Sequence, residues 1–381
     1  MKKASKYLMM LLGAAAGFGL GIGLVILMDR IPTASKGMLI AQFILVFAAL
    51  YAFFFAELIL HEAGHLLFGL MTGWRFVSFR IGSVLWLRGP NGRITRSKFS
   101  LAGTAGQCLM APPPWREEGF PCVLYNLGGV IVNLATAVVC GLLAWVLWEH
   151  PLASVLLAEA AAVGLLLGLT NGIPLPGMMV ANDGSNLVSV LRSRDARRAL
   201  WVQMSFAAAQ AEGMRLSEMP DKWFEPFPEA SMDNTLVASV AVFAANRQLD
   251  ALDLPGTEKA IRALLARSKG ILPLYRALLT LDGACCELIA GRPADLTEAL
   301  GSPAVQQVTK AMKSHITVLR TQYIAALLRD RDEAQAAKYQ EAFDKAASAY
   351  PYQQDVISER ALMTLAKEAA AHAPGSNIQE G

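Results

Sequence analysis

The sequence predicts a mainly α-helical membrane protein that continues into a soluble helical domain. Hydrophobic residues make up 54% of the 381 residues and charged residues 17%, below the roughly 25% usual in soluble domains. The long uncharged runs lie in residues 1–190, whereas residues 190–381 have the composition of an ordinary helical protein. Several of these runs reach the roughly 20 apolar residues that a bilayer crossing requires.

Four apolar runs are candidate transmembrane helices: Tyr7–Met28, Met38–Leu70, Cys122–Trp148 and Leu152–Ile173. The first follows a lysine-rich start and is also compatible with a cleaved signal peptide. A retained helix is favoured because the run exceeds the usual apolar core of a signal peptide and no convincing cleavage site follows it. Pro151 separates the last two runs and leaves only a short turn between them.

The placement of lysine and arginine predicts the orientation in the membrane. These residues are frequent at the N-terminus, after the second run and after the fourth run, and are rare in the other two turns. Four crossings with both termini in the cytoplasm satisfy the positive-inside rule. A bacterial cell membrane is expected because no organellar targeting signal is visible. The net charge of +3, without a basic stripe, argues against a nucleic-acid partner.

The second run contains the sequence HEAGH, from His61 to His65. Residues four apart share one face of a helix, so His61 and His65 can bind one zinc ion. Zinc lowers the pKa of a bound water, and Glu62 is placed to accept the proton, which prepares hydroxide for attack on an amide. Glu57, one turn earlier, is a candidate to orient the His61 ring, or else an acid without a partner near the membrane edge.

The fourth run suggests where a third zinc ligand lies. Catalytic zinc sites normally have three protein ligands. Asn171, Pro174 and Pro176 interrupt this run, and broken backbone at membrane depth is tolerated where it is buried in protein or lines a wet cavity. Asp183 then precedes a helical stretch. It is either the third ligand or the N-cap of that helix, and composition favours neither.

Taken together, these segments resemble the core of the site-2 protease family of intramembrane zinc metalloproteases. The resemblance covers about residues 38–195. It rests on HEAGH, on GGVIVNL with Gly128, Gly129 and Asn133, and on the NGIP…DG segment that starts at Asn171. The order of the three motifs, each within or beside an apolar run, also matches the family.

The resemblance implies a role for each matched residue. His61, His65 and Asp183 would bind Zn²⁺, and Glu62 would activate water. Asn171 would position the substrate or stabilise the developing oxyanion.

Asn133 and Pro174 match further family positions and are candidates for supporting or substrate-positioning roles. In one respect the chain departs from the family. Asp183 lies twelve residues after Asn171, four more than is usual in the family, which lengthens the loop by about one helical turn.

Residues 74–110 are rich in aromatic and β-branched residues and contain a turn signal at Gly89–Gly92. They predict a β-hairpin at the membrane edge. Its free edge is a candidate to pair with an unwound substrate strand. The alternative is an interfacial anchor through Trp74 and Trp86.

The predicted organisation has four parts: an N-terminal helix and loop (1–37), the protease-like core (38–195), an amphipathic helix and linker (196–230), and a cytoplasmic helical domain (231–381). The last part has the rhythm of tetratricopeptide-like hairpins without a fixed period. It is expected to bind a cytoplasmic protein partner, or only to pack beneath the membrane core.

The expected function is that of an intramembrane zinc endopeptidase acting on a membrane-protein or membrane-peptide substrate. The alternative is a non-catalytic membrane scaffold that acts through the C-terminal domain. The longer spacing between Asn171 and Asp183 motivates that alternative, whereas an intact Glu62 argues against it.

Overall fold

The computed structural model describes residues 21, 23, 25, 26, 28–100, 103–116, 119–175, 180–267 and 269–372. The chain divides into two compact units. The first comprises residues 1–74, 105–108 and 121–188, and the second comprises residues 75–104, 109–120 and 189–381. Most of the predicted β region therefore belongs to the second unit, whereas the sequence-based division placed it in the protease-like core.

Three long apolar helices make up most of the described part of the first unit: α1 (Lys36–Met71), α2 (Val123–Val146) and α3 (Pro151–Gly172). Each is long and apolar enough to cross a membrane. They correspond to the second, third and fourth predicted crossings. The first predicted crossing, Tyr7–Met28, lies mostly outside the described residues.

The distribution of side chains on α1 is the reverse of that in a soluble helix. Large apolar side chains are exposed, with Phe47 at 74% and Tyr51 at 66% exposure, while Glu57, His61 and His65 are buried. In water such an arrangement would be unfavourable, but lipid solvates apolar side chains and excludes charged ones. This arrangement therefore suits a helix with lipid on its outer face.

Close contact between α1 and α2 depends on two glycines. A Cβ atom added at Gly64 would lie 2.3 Å from the Gly128 carbonyl oxygen, and one added at Gly128 would lie 2.4 Å from the Gly64 carbonyl oxygen. The two backbones touch at this point, as small residues allow in membrane helix pairs. This contact brings the histidine face of α1 against α2.

The expected β-hairpin is part of a larger antiparallel sheet, which corrects that prediction. The strands are β1 (Arg75–Ile81), β2 (Val84–Arg88), β3 (Ile94–Lys98) and β4 (Gly106–Ala111), in the order β3-β2-β1-β4. The predicted turn joins β2 to β3, with Trp86 opposite Arg96 and Gly92 at a positive φ of 73°. Sequence patterning located this hairpin but did not detect its two partner strands.

The rest of the second unit is helical, as the sequence predicts. Two residues of this helical part, Ala211 and Tyr352, share one cluster of buried apolar side chains with four residues of the sheet: Val77, Leu85, Leu87 and Ala111. The helices are α4 (Asp183–Arg192, which begins in the first unit), α5 (Arg194–Ala211), α6 (Thr235–Asp250), α7 (Leu254–Ala266), α8 (Pro273–Ile289), α9 (Asp295–Glu298), α10 (Pro303–Ala311), α11 (Ile316–Ile324), α12 (Glu333–Ser348) and α13 (Gln353–Ala371).

Candidate metal centre

Two histidines and one aspartate converge in the first unit. The Nε2 atoms of His61 and His65 lie 3.2 Å apart. Asp183 places Oδ2 3.0 Å from the Nε2 of His61 and 3.4 Å from that of His65. Ligand atoms about 2.05 Å from a tetrahedral zinc ion are about 3.3 Å from one another. The three side chains therefore have the spacing of a zinc-binding set, and they form the one such cluster among the described residues.

Hydrogen bonds on the far side of each ring determine which nitrogen faces the cluster. His61 Nδ1 lies 2.6 Å from Asn133 Oδ1, and His65 Nδ1 lies 2.7 Å from the Tyr125 carbonyl oxygen. Both partners are acceptors, so each Nδ1 donates, and in the neutral ring each Nε2 presents a lone pair towards Asp183. Three acceptor atoms this close repel one another unless a cation or a proton lies among them. Two imidazoles and a carboxylate are a donor set used by catalytic zinc, so the residues fit this ion.

Asn133 connects His61 to Glu57. Its Nδ2 atom donates to Glu57 Oε2 at 2.7 Å and to the Glu57 carbonyl oxygen at 2.9 Å. Because both donor hydrogens are used there, the amide oxygen faces His61. Thr136 also donates to Glu57 Oε2, at 2.9 Å. Glu57 therefore acts on the histidine through Asn133, and not by the direct contact considered for it from the sequence.

The space around His61 and Glu62 depends on glycines. A Cβ atom added at Gly129 would lie 2.5 Å from His61 Cε1, and one added at Gly106 would lie 2.4 Å from Glu62 Oε1. Glu62 is 7% exposed. It shares a helical turn with the two rings, which suits a group that accepts a proton from water at the site.

Asn182 positions Asp183 and was not identified from the sequence. Its Nδ2 atom donates to the carbonyl oxygens of Thr170 at 2.8 Å and Ile173 at 2.6 Å. Its Oδ1 atom accepts from the backbone nitrogen of Ser185 at 3.1 Å and from its hydroxyl at 2.6 Å. Asn182 thus joins the end of α3 to the start of α4 and takes the capping role considered for Asp183. An asparagine directly before a helical run was the available signal.

The longer loop still brings the carboxylate to the rings. A Cβ atom at Gly184 would lie 2.1 Å from the Gly172 carbonyl oxygen, so α4 begins directly against the end of α3. Burial acts to raise the pKa of the Asp183 carboxyl, but the adjacent rings of His65 and His61, when protonated, outweigh it and hold the pKa well below its ordinary value. Asp183 is thus held as a carboxylate when the rings carry protons, and a metal cation in place of those protons would favour the same ionised state.

Two of the predicted residues lie apart from this cluster. Asn171 is in the last turn of α3, and its Nδ2 atom donates to the Leu167 carbonyl oxygen at 3.0 Å. Pro174 is exposed in the segment after α3. Within the described part of the chain, neither contributes an atom to the candidate metal ligands.

Tyr125 supports the site through its backbone, which side-chain patterns do not reveal. Its carbonyl oxygen holds His65, and its hydroxyl donates to the Cys108 carbonyl oxygen at 2.7 Å. The Tyr125 ring stacks on Trp74 with centroids 4.1 Å apart. Trp74 is 2% exposed, and its indole nitrogen donates to the Pro121 carbonyl oxygen. Trp74 is thus a buried support of the site, and the interfacial role considered for it is wrong.

Comparison with known proteins adds no family assignment. No family model, no curated protein and no solved structure matches the chain. The chemistry of His61, Glu62, His65 and Asp183 is therefore the basis on which a function can be inferred.

Proposed function

We propose that this protein is an intramembrane zinc endopeptidase that hydrolyses peptide bonds within, or at the edge of, membrane-spanning segments of proteins or peptides. The observation that carries the proposal is the convergence of His61, His65 and Asp183 at zinc-ligand spacing with Glu62 on the same turn of α1. A purely structural zinc site has no need of the adjacent carboxylate. Glu62 therefore favours catalysis over the scaffold alternative.

Some residues of the site orient the metal ligands, and Glu62 transfers the proton. When bound, Zn²⁺ would supply a water of lowered pKa and polarise the carbonyl to be attacked. Asn133 and Tyr125 keep the two Nε2 lone pairs directed at the site. The Glu62 carboxylate accepts the proton that the attacking water loses and returns it to the nitrogen of the leaving amine. Asn171 is the proposed polar group for substrate positioning.

The substrate would enter as an extended strand, because a helix hides its carbonyl groups in internal hydrogen bonds. β4 is an edge strand of the sheet, and its first residue, Gly106, lies beside the Glu62 carboxylate. Pairing of an unwound segment with residues 106–108, which belong to the same unit as Glu62, would place a peptide bond near the proton acceptor.

The three described membrane-length helices also support an orientation. The segments that follow α1 and α3 are rich in arginine, including Arg192, Arg194, Arg197 and Arg198 after α3. We propose that these segments face the cytoplasm, so that the metal centre lies towards that side of the membrane.

Metal content tests the site. The full-length protein is purified in detergent as wild type, Glu62→Gln, Asp183→Ala and Glu149→Gln, the last replacing an exposed carboxylate between α2 and α3. Wild type, Glu62→Gln and Glu149→Gln are expected to hold one zinc per chain, and Asp183→Ala to lose it. Absence of zinc from the wild type after metal is added back would refute the proposal.

Activity is tested with the same variants. Membrane proteins or peptides that accumulate in cells with Glu62→Gln, and appear shortened with wild type, are candidate substrates. Glu149→Gln should behave as wild type. If a zinc-loaded wild type and Glu62→Gln leave identical membrane fragments, the zinc is structural and the scaffold alternative holds.

A further inference from the structure

The helical part of the second unit contains a partly open cavity of about 180 Å³. It is lined by residues of α5, α6, α8, α11 and α13 and of the segments beside them. Part of its lining is apolar and includes Phe206, Leu249 and Leu362. Another part is acidic and includes four carboxylates: Asp250, Asp282, Asp355 and Glu359. The proposed protease chemistry uses none of these residues.

The carboxylates outnumber the cations that neutralise them. Arg320 lies 2.5 Å from Asp282 and 2.6 Å from Glu359. Arg215 lies 2.8 Å from Asp250. Among the described residues, two guanidinium groups thus face four carboxylates, which leaves an excess of two negative charges when all are ionised. Low-dielectric surroundings make such an excess attractive to a cation.

Two half-buried residues that line the cavity, Asp355 and Asn246, have few hydrogen-bond donors for their oxygen atoms. Asp355 has one side-chain partner among the described residues, the neutral amide of Gln210 at 2.8 Å. Burial raises the pKa of the Asp355 carboxyl to about 7, as expected for an acid with no cation beside it. The Oδ1 atom of Asn246 is buried and has no hydrogen-bond partner in the described part of the chain. Buried acceptors of this kind are normally satisfied.

We propose that this cavity binds an organic cation, an ammonium or guanidinium group on a short apolar stem, as in the lysine or arginine side chain of a peptide. The acidic lining receives the charged head, Asp355 and Asn246 accept its hydrogen bonds, and the apolar lining covers the stem. A bare metal cation fits less well. Three of the four carboxylates already accept from arginine, and the apolar residues offer no oxygen ligands.

Titration calorimetry on the full-length protein in detergent at pH 8 tests the proposal. The small-molecule probes are n-butylammonium chloride and the neutral control 1-butanol. The peptide probes are a capped pentapeptide with a central lysine and its acetyl-lysine counterpart. The charged probes are expected to bind at least roughly tenfold more tightly than their neutral controls. Binding of the lysine peptide but not of butylammonium would identify a protein segment as the ligand. Binding of both would show that the cavity also accepts free amines.

Variants separate the cavity from general charge attraction. Asp355→Asn keeps the shape of the side chain and should weaken binding of the charged probes by roughly tenfold or more. Glu341→Gln removes one negative charge from the exposed face of α12 and should leave binding unchanged. Asn246→Leu keeps every carboxylate and should also lose binding, which guards against a folding defect specific to Asp355→Asn. Thermal melting confirms that each variant is folded.

Three results would overturn the proposal. One is equal binding of butylammonium and butanol. Another is equal loss in Glu341→Gln and Asp355→Asn. The third is no binding of either charged probe. Because the proposed zinc site lies in the other unit, these variants should leave metal content unchanged, and the two proposals can fail independently.

Discussion

Asn133 holds the His61 ring with its amide oxygen 2.6 Å from Nδ1, while its amide nitrogen donates to Glu57. The result is a chain of hydrogen bonds from a buried carboxylate to a candidate metal ligand. Such partners fix the tautomer and orientation of a metal-binding histidine. These hydrogen bonds run from Glu57 on α1 to Asn133 on α2 and back to His61 on α1. The orientation of His61 therefore depends on the packing of the two helices.

Asn133→Leu should weaken zinc binding by roughly 10- to 100-fold, because the ring loses its acceptor and Glu57 loses a donor. Competition with a chromogenic chelator measures this affinity. Thr136→Val is the matched control, since Thr136 donates to the same Glu57 oxygen without touching the ring. Equal effects of the two substitutions would show that Asn133 does not position His61.

Asn182→Ala should lower both zinc occupancy and stability. The substitution removes the N-cap of α4 and both hydrogen bonds to the end of α3. Loss of the cap alone should lower the free energy of unfolding by about 1–2 kcal/mol. Asp183 would then be held less firmly against the rings. Ser185→Ala removes only one side-chain bond to Asn182 and should have a smaller effect on metal content. A full zinc complement in Asn182→Ala would refute this positioning role.

Gly128→Ala should destabilise the first unit by about 1–3 kcal/mol, since the added methyl group would meet the Gly64 backbone of α1. Gly141→Ala on the same helix is the control, because its added Cβ atom would lie 3.9 Å from Ala161 Cβ, an ordinary contact. Thermal unfolding in detergent compares the two. A Gly128→Ala variant as stable as Gly141→Ala would mean that the helices can separate without loss.

The stability of the second unit should depend on pH through His315. Burial lowers the pKa of His315 to about 4 in the folded state, against 6.5 when exposed. The unfolded chain therefore takes up a proton as the pH falls below about 6.5, while the folded chain does not until about 4. Stability is lost over this range, by about 1–3 kcal/mol given that the ring is partly exposed. His315→Gln should abolish this contribution in melting curves recorded from pH 4 to 7.

Asp355 should act in the opposite direction. Its folded-state pKa is about 7, above the ordinary 3.8, so the folded chain keeps a proton that the unfolded chain loses. Stability therefore falls as the pH rises from about 4 to about 7 and stays reduced above that. Asp355→Asn should be more stable than wild type at pH 8, by about 1–3 kcal/mol, and similar to it at pH 4. A variant less stable than wild type at pH 8 would contradict this assignment.

Features that depend on short-range periodicity can be predicted from the sequence. Apolar runs of membrane length predicted α1, α2 and α3, because hydropathy over about 20 residues is a local property. The four-residue spacing of His61 and His65 placed both rings on one helix face before any tertiary contact was known. The turn at Gly89–Gly92 was readable for the same reason, since its conformation depends on a few neighbouring residues.

Contacts between groups that are distant in sequence depend on the tertiary structure. Asp183 reaches His61 across 122 positions of sequence because Asn182 joins α3 to α4. No local sequence pattern predicts this contact. Composition therefore could not show whether Asp183 is a metal ligand or the N-cap of α4. The contribution of Tyr125 comes from a backbone carbonyl that every residue possesses, and its use depends on where α2 lies against α1. The sequence specifies the chemistry of each side chain, whereas the distances between remote side chains follow from how the helices pack.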